Sequence, residues 1–130
     1  MDNTIIGDVM VSFPHTVGLK ITLQRAKEVM QELNVRHLPV QHGGKLIGVV
    51  TDRDIHFALA IDKKDAAELS VEDAYTSDPY IVDPEATLVE VVSKMAKDAL
   101  GCTLVAKGSE LVGIFTTVDV CRVFAKRLAS

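Results

Sequence analysis

The sequence predicts a mixed α/β (α+β) fold built as two tandem β-α-β-β-α repeats. Three observations predict it. Shifting the 130-residue chain by 65 positions lays residues 6–60 on residues 71–125 without a gap. Fourteen of the 55 superposed pairs are identical, among them Asp8/Asp73, Pro14/Pro79, Thr22/Thr87, Met30/Met95, Gly48/Gly113, Thr51/Thr116 and Asp54/Asp119. Within each copy, two stretches carry apolar residues at helical spacing, and short β-branched runs bounded by glycine lie between them. A repeat of this length is one supersecondary unit used twice.

Each element follows from its residues. After Pro14, Thr16 and Val17 form a short extended piece. Residues 22–34 are helical, with Leu23, Ala26, Met30 and Leu33 on one face. Residues 38–41 are a strand, and His42-Gly43-Gly44 is a turn whose glycines tolerate positive φ. Residues 46–51 form a second, β-branched strand, and Ile55, Ala58 and Leu59 mark the buried side of a second helix. The second copy repeats this. Residues 87–100 are helical through Leu88, Val91, Val92 and Met95; residues 103–106 and 111–116 are strands around Lys107-Gly108-Ser109. The last helix is expected to bury Val120, Val123, Phe124 and Leu128.

This divides the chain into a first repeat at 6–60, a charged linker at 61–70 and a second repeat at 71–125. A unit of about 60 residues buries too little surface to be stable alone, so the halves are expected to share one core. Met10, Met30 and Met95 fit as core fillers.

Composition excludes several functions. The chain is 48% hydrophobic and 25% charged, the balance of a globular protein. Its net charge of −4 disfavours nucleic-acid binding, which needs a basic face. The N-terminus lacks the basic and apolar regions of a signal peptide, and no apolar run reaches the roughly 20 residues of a membrane helix. A cytoplasmic protein is expected. Cys102 and Cys121 stand 19 positions apart, which suits neither zinc nor a redox motif, and both are expected to be buried or half-buried thiols. His15, His42 and His56 suit solvent or turns, so no metal site is expected. Arg122, Lys126 and Arg127 suit the C-terminal dipole of the last helix. No activated serine or cysteine, P-loop or acid/base carboxylate pair can be named, so neither an enzyme nor a catalytic cofactor is expected.

The densest agreement between the copies is Gly48-Val49-Val50-Thr51-Asp52-Arg53-Asp54 against Gly113-Ile114-Phe115-Thr116-Thr117-Val118-Asp119. Thr51-x-x-Asp54 and Thr116-x-x-Asp119 read first as capping boxes, a role that needs no ligand and is worth about 1 kcal/mol. Thr87-x-x-Glu90 has the same spacing and reads as a cap alone. A carboxylate at such a place can also accept hydrogen bonds from both hydroxyls of a ribose, and a threonine at a helix start can hold a phosphate.

The order of extended piece, helix, His37-Leu38-Pro39-Val40 strand, glycine turn and Gly-apolar-apolar-Thr-x-x-Asp resembles the CBS domain, over nearly the whole chain. Two in tandem are similar to a CBS pair, or Bateman module. The resemblance implies small sheets packed on helices in two repeats related by pseudo-two-fold symmetry. It implies a regulatory, energy-sensing role: an adenosine-containing ligand held in the cleft between the repeats. AMP, ADP or ATP leads, and S-adenosylmethionine or NAD(H) also fits. It further implies a homodimer of CBS pairs and a regulated protein partner.

Carried over residue by residue, the resemblance implies two ligand sets. One joins Thr116, Thr117 and Asp119 to Thr16, Val17, Arg36, His37, Leu38 and Pro39. The other joins Thr51, Arg53 and Asp54 to Ile81, Val82, Gly101, Cys102, Thr103 and Leu104. The Asp119 set is favoured, because Arg36 and His37 add cations where the other set has uncharged Gly101 and Cys102. The alternative function is a ligand-free dimerisation or interaction scaffold in which both Thr-x-x-Asp motifs are only caps.

Overall fold

The computed structural model describes residues 2–130. In chain order the regular elements are β1 (Val11–Ser12), β2 (Val17–Gly18), α1 (Leu23–Leu33), β3 (His37–His42), β4 (Lys45–Thr51), α2 (Asp52–Asp62), β5 (Ile81–Val82), α3 (Leu88–Asp98), β6 (Cys102–Lys107), β7 (Glu110–Thr116) and α4 (Thr117–Ala129). Short 3-10 turns at Ile6–Asp8 and Val71–Asp73 open the two copies. The expected β-α-β-β-α order is present twice.

The compact units do not follow the repeat boundaries. One unit is residues 15–79; the other joins residues 2–14 to residues 80–130. The start of each sequence repeat is therefore built into the unit that holds the other repeat's helices. Each unit has its own apolar cluster. In the 15–79 unit, Leu23, Ala26, Val29 and Met30 of α1 meet Leu38, Val40 and Val50 of the sheet and Ile55 of α2. Leu69 and Val71, from the stretch expected to be linker and the turn after it, complete this cluster. In the other unit, Leu88, Val91 and Met95 of α3 meet Val105 and Phe115, and Ile6 completes the cluster. Ile6 and Val71 are equivalent in the repeat, and both are fully buried. Each acquires apolar neighbours that a 60-residue piece could not give it.

The sheets follow from the same logic. In the 15–79 unit the order is β2-β3-β4, with β2 parallel to β3 across α1, and β3 antiparallel to β4. The other sheet is β1-β7-β6-β5, with β5 parallel to β6 and β1 antiparallel on the free edge of β7. A bulge falls between Val40 and Gln41 in one copy and at its equivalent, Val105/Ala106, in the other. At the first hairpin both Gly43 and Gly44 have positive φ, as a two-residue turn twisting with its strands requires.

Helix ends match the residue chemistry. The Thr22 hydroxyl accepts from Arg25 N at 3.1 Å to start α1, and Thr87 does the same for α3 from Glu90 N at 3.2 Å. Both helices stop on a left-handed residue, Asn34 and Ala99. Two expectations fail on the helix faces. Leu33, the last residue of α1, is exposed, and Val29 joins Ala26 and Met30 on the buried face instead. On α4, Val120 and Val123 are half-buried against the cluster, but Phe124 and Leu128 are 61% and 70% exposed on a face nothing in their own unit covers.

The glycine of each motif has a steric cause. At Gly48 a Cβ would run into the backbone oxygen of Thr76 and lie 2.7 Å from Cδ2 of Tyr75. Thr76 there exchanges backbone hydrogen bonds with Val49, at 3.0 and 2.8 Å. At Gly113 the nearest atoms a Cβ would meet belong to the flexible Met10 side chain. Backbone cannot step aside as a thioether can. Gly48→Ala should therefore cost about 2–3 kcal/mol and Gly113→Ala under about 1 kcal/mol. Urea unfolding of the two variants checks the order, and equal losses would refute it.

Candidate ligand site at the helix starts

In each unit one end of the sheet gathers the predicted residues. In the 15–79 unit, His37 pairs with Thr51 and Leu38 with Val50 across the ladder. Asp52 N donates to Arg36 O at 3.0 Å, tying the start of α2 to the residue before β3. Val17 lies beside Val40, and Thr16 directly precedes it. In the other unit, Cys102 pairs with Thr116, Thr117 N donates to Gly101 O at 3.1 Å, and Ile81 pairs with Leu104. Thr16, Val17, Arg36, His37, Leu38, Pro39, Thr51, Arg53 and Asp54 thus share one unit. Ile81, Val82, Gly101, Cys102, Thr103, Leu104, Thr116, Thr117 and Asp119 share the other.

Both Thr-x-x-Asp motifs form complete capping boxes. Thr51 Oγ1 accepts from Asp54 N at 3.0 Å, and Asp54 Oδ2 accepts from Thr51 N at 3.1 Å. Thr116 Oγ1 accepts from Asp119 N at 3.4 Å, and Asp119 Oδ2 accepts from Thr116 N at 2.8 Å. Capping is therefore a real role of these residues. It also fixes each carboxylate at a helix N-terminus, where the unpaired N–H groups favour negative charge. A carboxylate held by one oxygen on its own backbone keeps its other oxygen for a second partner.

The two carboxylates have different surroundings. Asp119 is buried, 8% exposed, and Asp54 is half-buried. Asp54 Oδ2 also accepts from the Thr76 hydroxyl at 3.4 Å. Asp119 Oδ2 accepts from the Thr116 hydroxyl at 3.1 Å, and its Oδ1 accepts from Arg122 Nη2 at 3.4 Å. The same Arg122 nitrogen donates to Val9 O at 2.9 Å. Sequence reasoning left Arg122 to the helix dipole and so missed this contact; the signal was the pair Phe57/Arg122, apolar in one copy and cationic in the other. Arg127 likewise engages the Asp2 carboxylate and the Thr4 hydroxyl rather than the helix end alone.

Of the remaining residues, Arg36 is well exposed and lies 3.8 Å from Asp52, which also faces His56 Nδ1 at 3.6 Å. Arg53 and Thr117 are exposed, and Pro39 and Leu104 are buried. Thr103 is fully buried, and its hydroxyl has no hydrogen-bond partner among the described residues. Cys102 is half-buried, but Cys121 is exposed, against expectation, on the outer side of α4. Among the described residues no cluster of three or more His, Cys, Asp or Glu could hold a metal ion. Nor is any described helix long and apolar enough to cross a membrane.

Residues 6–61 and 71–126 each match the CBS domain family model, so the chain belongs to the CBS domain family and carries a CBS pair. It is 35% identical over 120 residues to the inosine-5'-monophosphate dehydrogenase of Korarchaeum cryptofilum, covering 92% of this chain but only 23% of that enzyme. Among solved structures it is similar to the CBS domain pair of a protein in complex with 5'-methylthioadenosine and S-adenosyl-L-methionine: TM-score 0.87 at 28% identity, over 97% of this chain and 99% of that one. It is also similar to CBSX2 in complex with AMP, with TM-score 0.82 at 25% identity over 98% and 99% of the two chains. The chain spans about a quarter of the length of the curated enzymes it matches, in which the pair is one part of a larger protein.

His37 titrates below its ordinary value of 6.5, because burial penalises its charged form and neighbouring Arg36 adds to that, while Asp54 pulls the other way. The unfolded chain then takes up the proton first. The stability this supplies is complete above about pH 6.5 and declines as pH falls through the unfolded value toward the native one. Between pH 7 and pH 5 the urea midpoint of His37→Gln should fall less than that of the wild type. Parallel curves would show that His37 contributes no such slope.

Proposed function

We propose that this CBS pair is a regulatory module that binds an adenosine-containing ligand, AMP, ADP or ATP foremost. S-adenosylmethionine and NAD(H) share the recognised nucleoside. One observation carries the reading: each unit holds a fixed carboxylate, Asp54 or Asp119, at a capped helix start beside the sheet end where the other candidate residues gather. A carboxylate in that position suits a ribose diol, and the helix N-terminus with its threonine suits a phosphate. The relatives bound to AMP and to S-adenosyl-L-methionine support the ligand class. The candidate contacts are those of the two sets above: Asp54 and Asp119 for ribose, Thr51, Thr116, Arg36, His37 and Arg53 for phosphate. Val17, Leu38, Pro39, Ile81, Val82 and Leu104 serve as apolar walls. The orphan hydroxyl of Thr103 suits a polar edge of the base. The cytoplasm is the proposed compartment, where an exposed Cys121 stays reduced.

Calorimetry on ligand-stripped protein checks this. At least one of AMP, ATP, S-adenosylmethionine and NADH should release heat, and the double variant Asp54→Asn/Asp119→Asn should weaken it by about tenfold or more, the loss of a charge-assisted hydrogen bond. Silence with all four on folded protein would leave the motifs as caps only.

We further propose that the chain forms a homodimer. Phe57 and Ile61 of α2 and Val118, Phe124 and Leu128 of α4 are all exposed, an apolar load that a monomer rarely presents on two helices. Light scattering should give a dimer mass for the wild type and a monomer mass for Phe57→Lys/Phe124→Glu. A monomeric wild type would refute the dimer without touching the ligand.

A further inference from the structure

The two copies of the site share motif and geometry, yet their hydrogen-bonding capacity differs. A ribose diol donates two hydrogen bonds and so needs two open acceptor positions; a carboxylate has about four. Asp54 spends two, both on Oδ2, to Thr51 N and Thr76 Oγ1. Its Oδ1 accepts from nothing among the described residues. Asp119 spends three: two on Oδ2, to Thr116 N and Thr116 Oγ1, and one on Oδ1, to Arg122. The oxygen that a diol would approach is thus already shared with a guanidinium, whose charge also draws electron density from it.

The hydroxyls differ in the same sense. Thr116 donates its proton to Asp119, whereas Thr51 Oγ1 only accepts, from Asp54 N, and keeps a donor for an anion. Arg53 follows Thr51 by two positions, and its equivalent beside Thr116 is Val118. Arg122 is held in turn by Val9 O at 2.9 Å, so the guanidinium is anchored rather than roaming. Its equivalent in the other copy is Phe57, which can donate nothing.

We infer that Arg122 occludes the Asp119 carboxylate as a ribose acceptor, so that the chain takes one adenosine-containing ligand, with its diol on Asp54. The inference rests on the ligand class proposed above. It reverses the preference for Asp119 drawn from Arg36 and His37. Arg122 is a specificity-determining residue: it touches the carboxylate, not the ligand, and decides which copy of the motif is open.

The experiment is a calorimetric titration of the full chain with AMP, following stoichiometry as well as affinity. The wild type should bind one AMP per chain. Asp54→Asn keeps an oxygen for Thr51 N but presents an amide to the diol, and should weaken binding about 30-fold, as expected for a lost charge-assisted pair. Asp119→Asn should weaken binding several-fold less than Asp54→Asn does. Arg122→Met, which removes the donor and retains bulk, should raise the stoichiometry toward two. Thermal melting of each variant shows whether it is folded; should Asp54→Asn fail to fold, the stoichiometry of Arg122→Met decides. Binding lost in Asp119→Asn but kept in Asp54→Asn overturns the inference and leaves the ligand class standing. So do two sites in the wild type, or one in Arg122→Met. No binding of AMP, ATP, S-adenosylmethionine or NADH by folded wild type overturns the ligand class itself, and the inference with it.

Discussion

Close approach of one backbone to another at Gly48 is the constraint on which the 15–79 unit rests. A three-stranded sheet with two helices leaves the outer edge of β4 open, and an open edge carries unpaired N–H and C=O groups. The segment through Tyr75 and Thr76 closes it, with two backbone hydrogen bonds to Val49. It also delivers buried Val71 to the cluster beneath and the Thr76 hydroxyl to Asp54. A side chain at residue 48 would push directly on the backbone of this segment. In the other unit β1 lies along β7 in the same way, with Val11 opposite Ile114 and Ile6 buried below. There the contact at Gly113 is made by a methionine side chain, and the tolerance is wider. The glycine that opens each motif therefore serves the fold before it serves any ligand.

That constraint fixes where the carboxylates stand. β4 and β7 each end on the threonine that caps the next helix, so strand register decides where the helix begins. The capping box then locks the aspartate to within one hydrogen-bond length of its own strand end. A box contributes about 1 kcal/mol to the helix. Its larger consequence is that the side chain gives up little rotamer freedom on meeting a ligand, since that freedom is lost on folding. Capping and the proposed ligand contact are compatible uses of one carboxylate, because the box engages one of its two oxygens with the backbone.

The sequence carried the local structure far. Helices expected at 22–34 and 87–100 are found as Leu23–Leu33 and Leu88–Asp98, because Thr22 and Thr87 cap them and left-handed Asn34 and Ala99 end them. Strand and turn positions followed from β-branched runs and glycine pairs. What it hid was long-range. Nothing near Ile6 or Val71 indicates that each joins a unit more than its own repeat, since an apolar residue in a short turn is equally at home in either core. The burial of Leu69 was obscured by the charges around it, and the exposure of Phe124 and Leu128 by a flawless helical stripe. Periodicity reports which face is apolar, not what covers it. For the site, the cap chemistry was legible from spacing, but the Arg122 contact was not. It depends on a helical i, i+3 neighbour and on Val9, 113 residues away.

An internal repeat offers a comparison that single domains lack, because each copy is a control for the other. Where residues agree, as at Gly48/Gly113, Thr51/Thr116 and Asp54/Asp119, the two units show the same boxes and the same strand-to-helix joint. Where they differ, three differences bear on the motif: Thr76, which donates to Asp54, is replaced by Val11; Arg122, which donates to Asp119, replaces Phe57; and Arg53 is replaced by Val118. Each change is silent for the cap, which needs only the threonine, the aspartate and the backbone. Each alters what the carboxylate can offer outward. The shared chemistry of the motif is thus the part the cap uses, and on the proposed reading its unshared neighbours set the ligand preference. For this chain, counting open lone pairs around Asp54 and Asp119 discriminates between the copies where comparing the motifs themselves cannot.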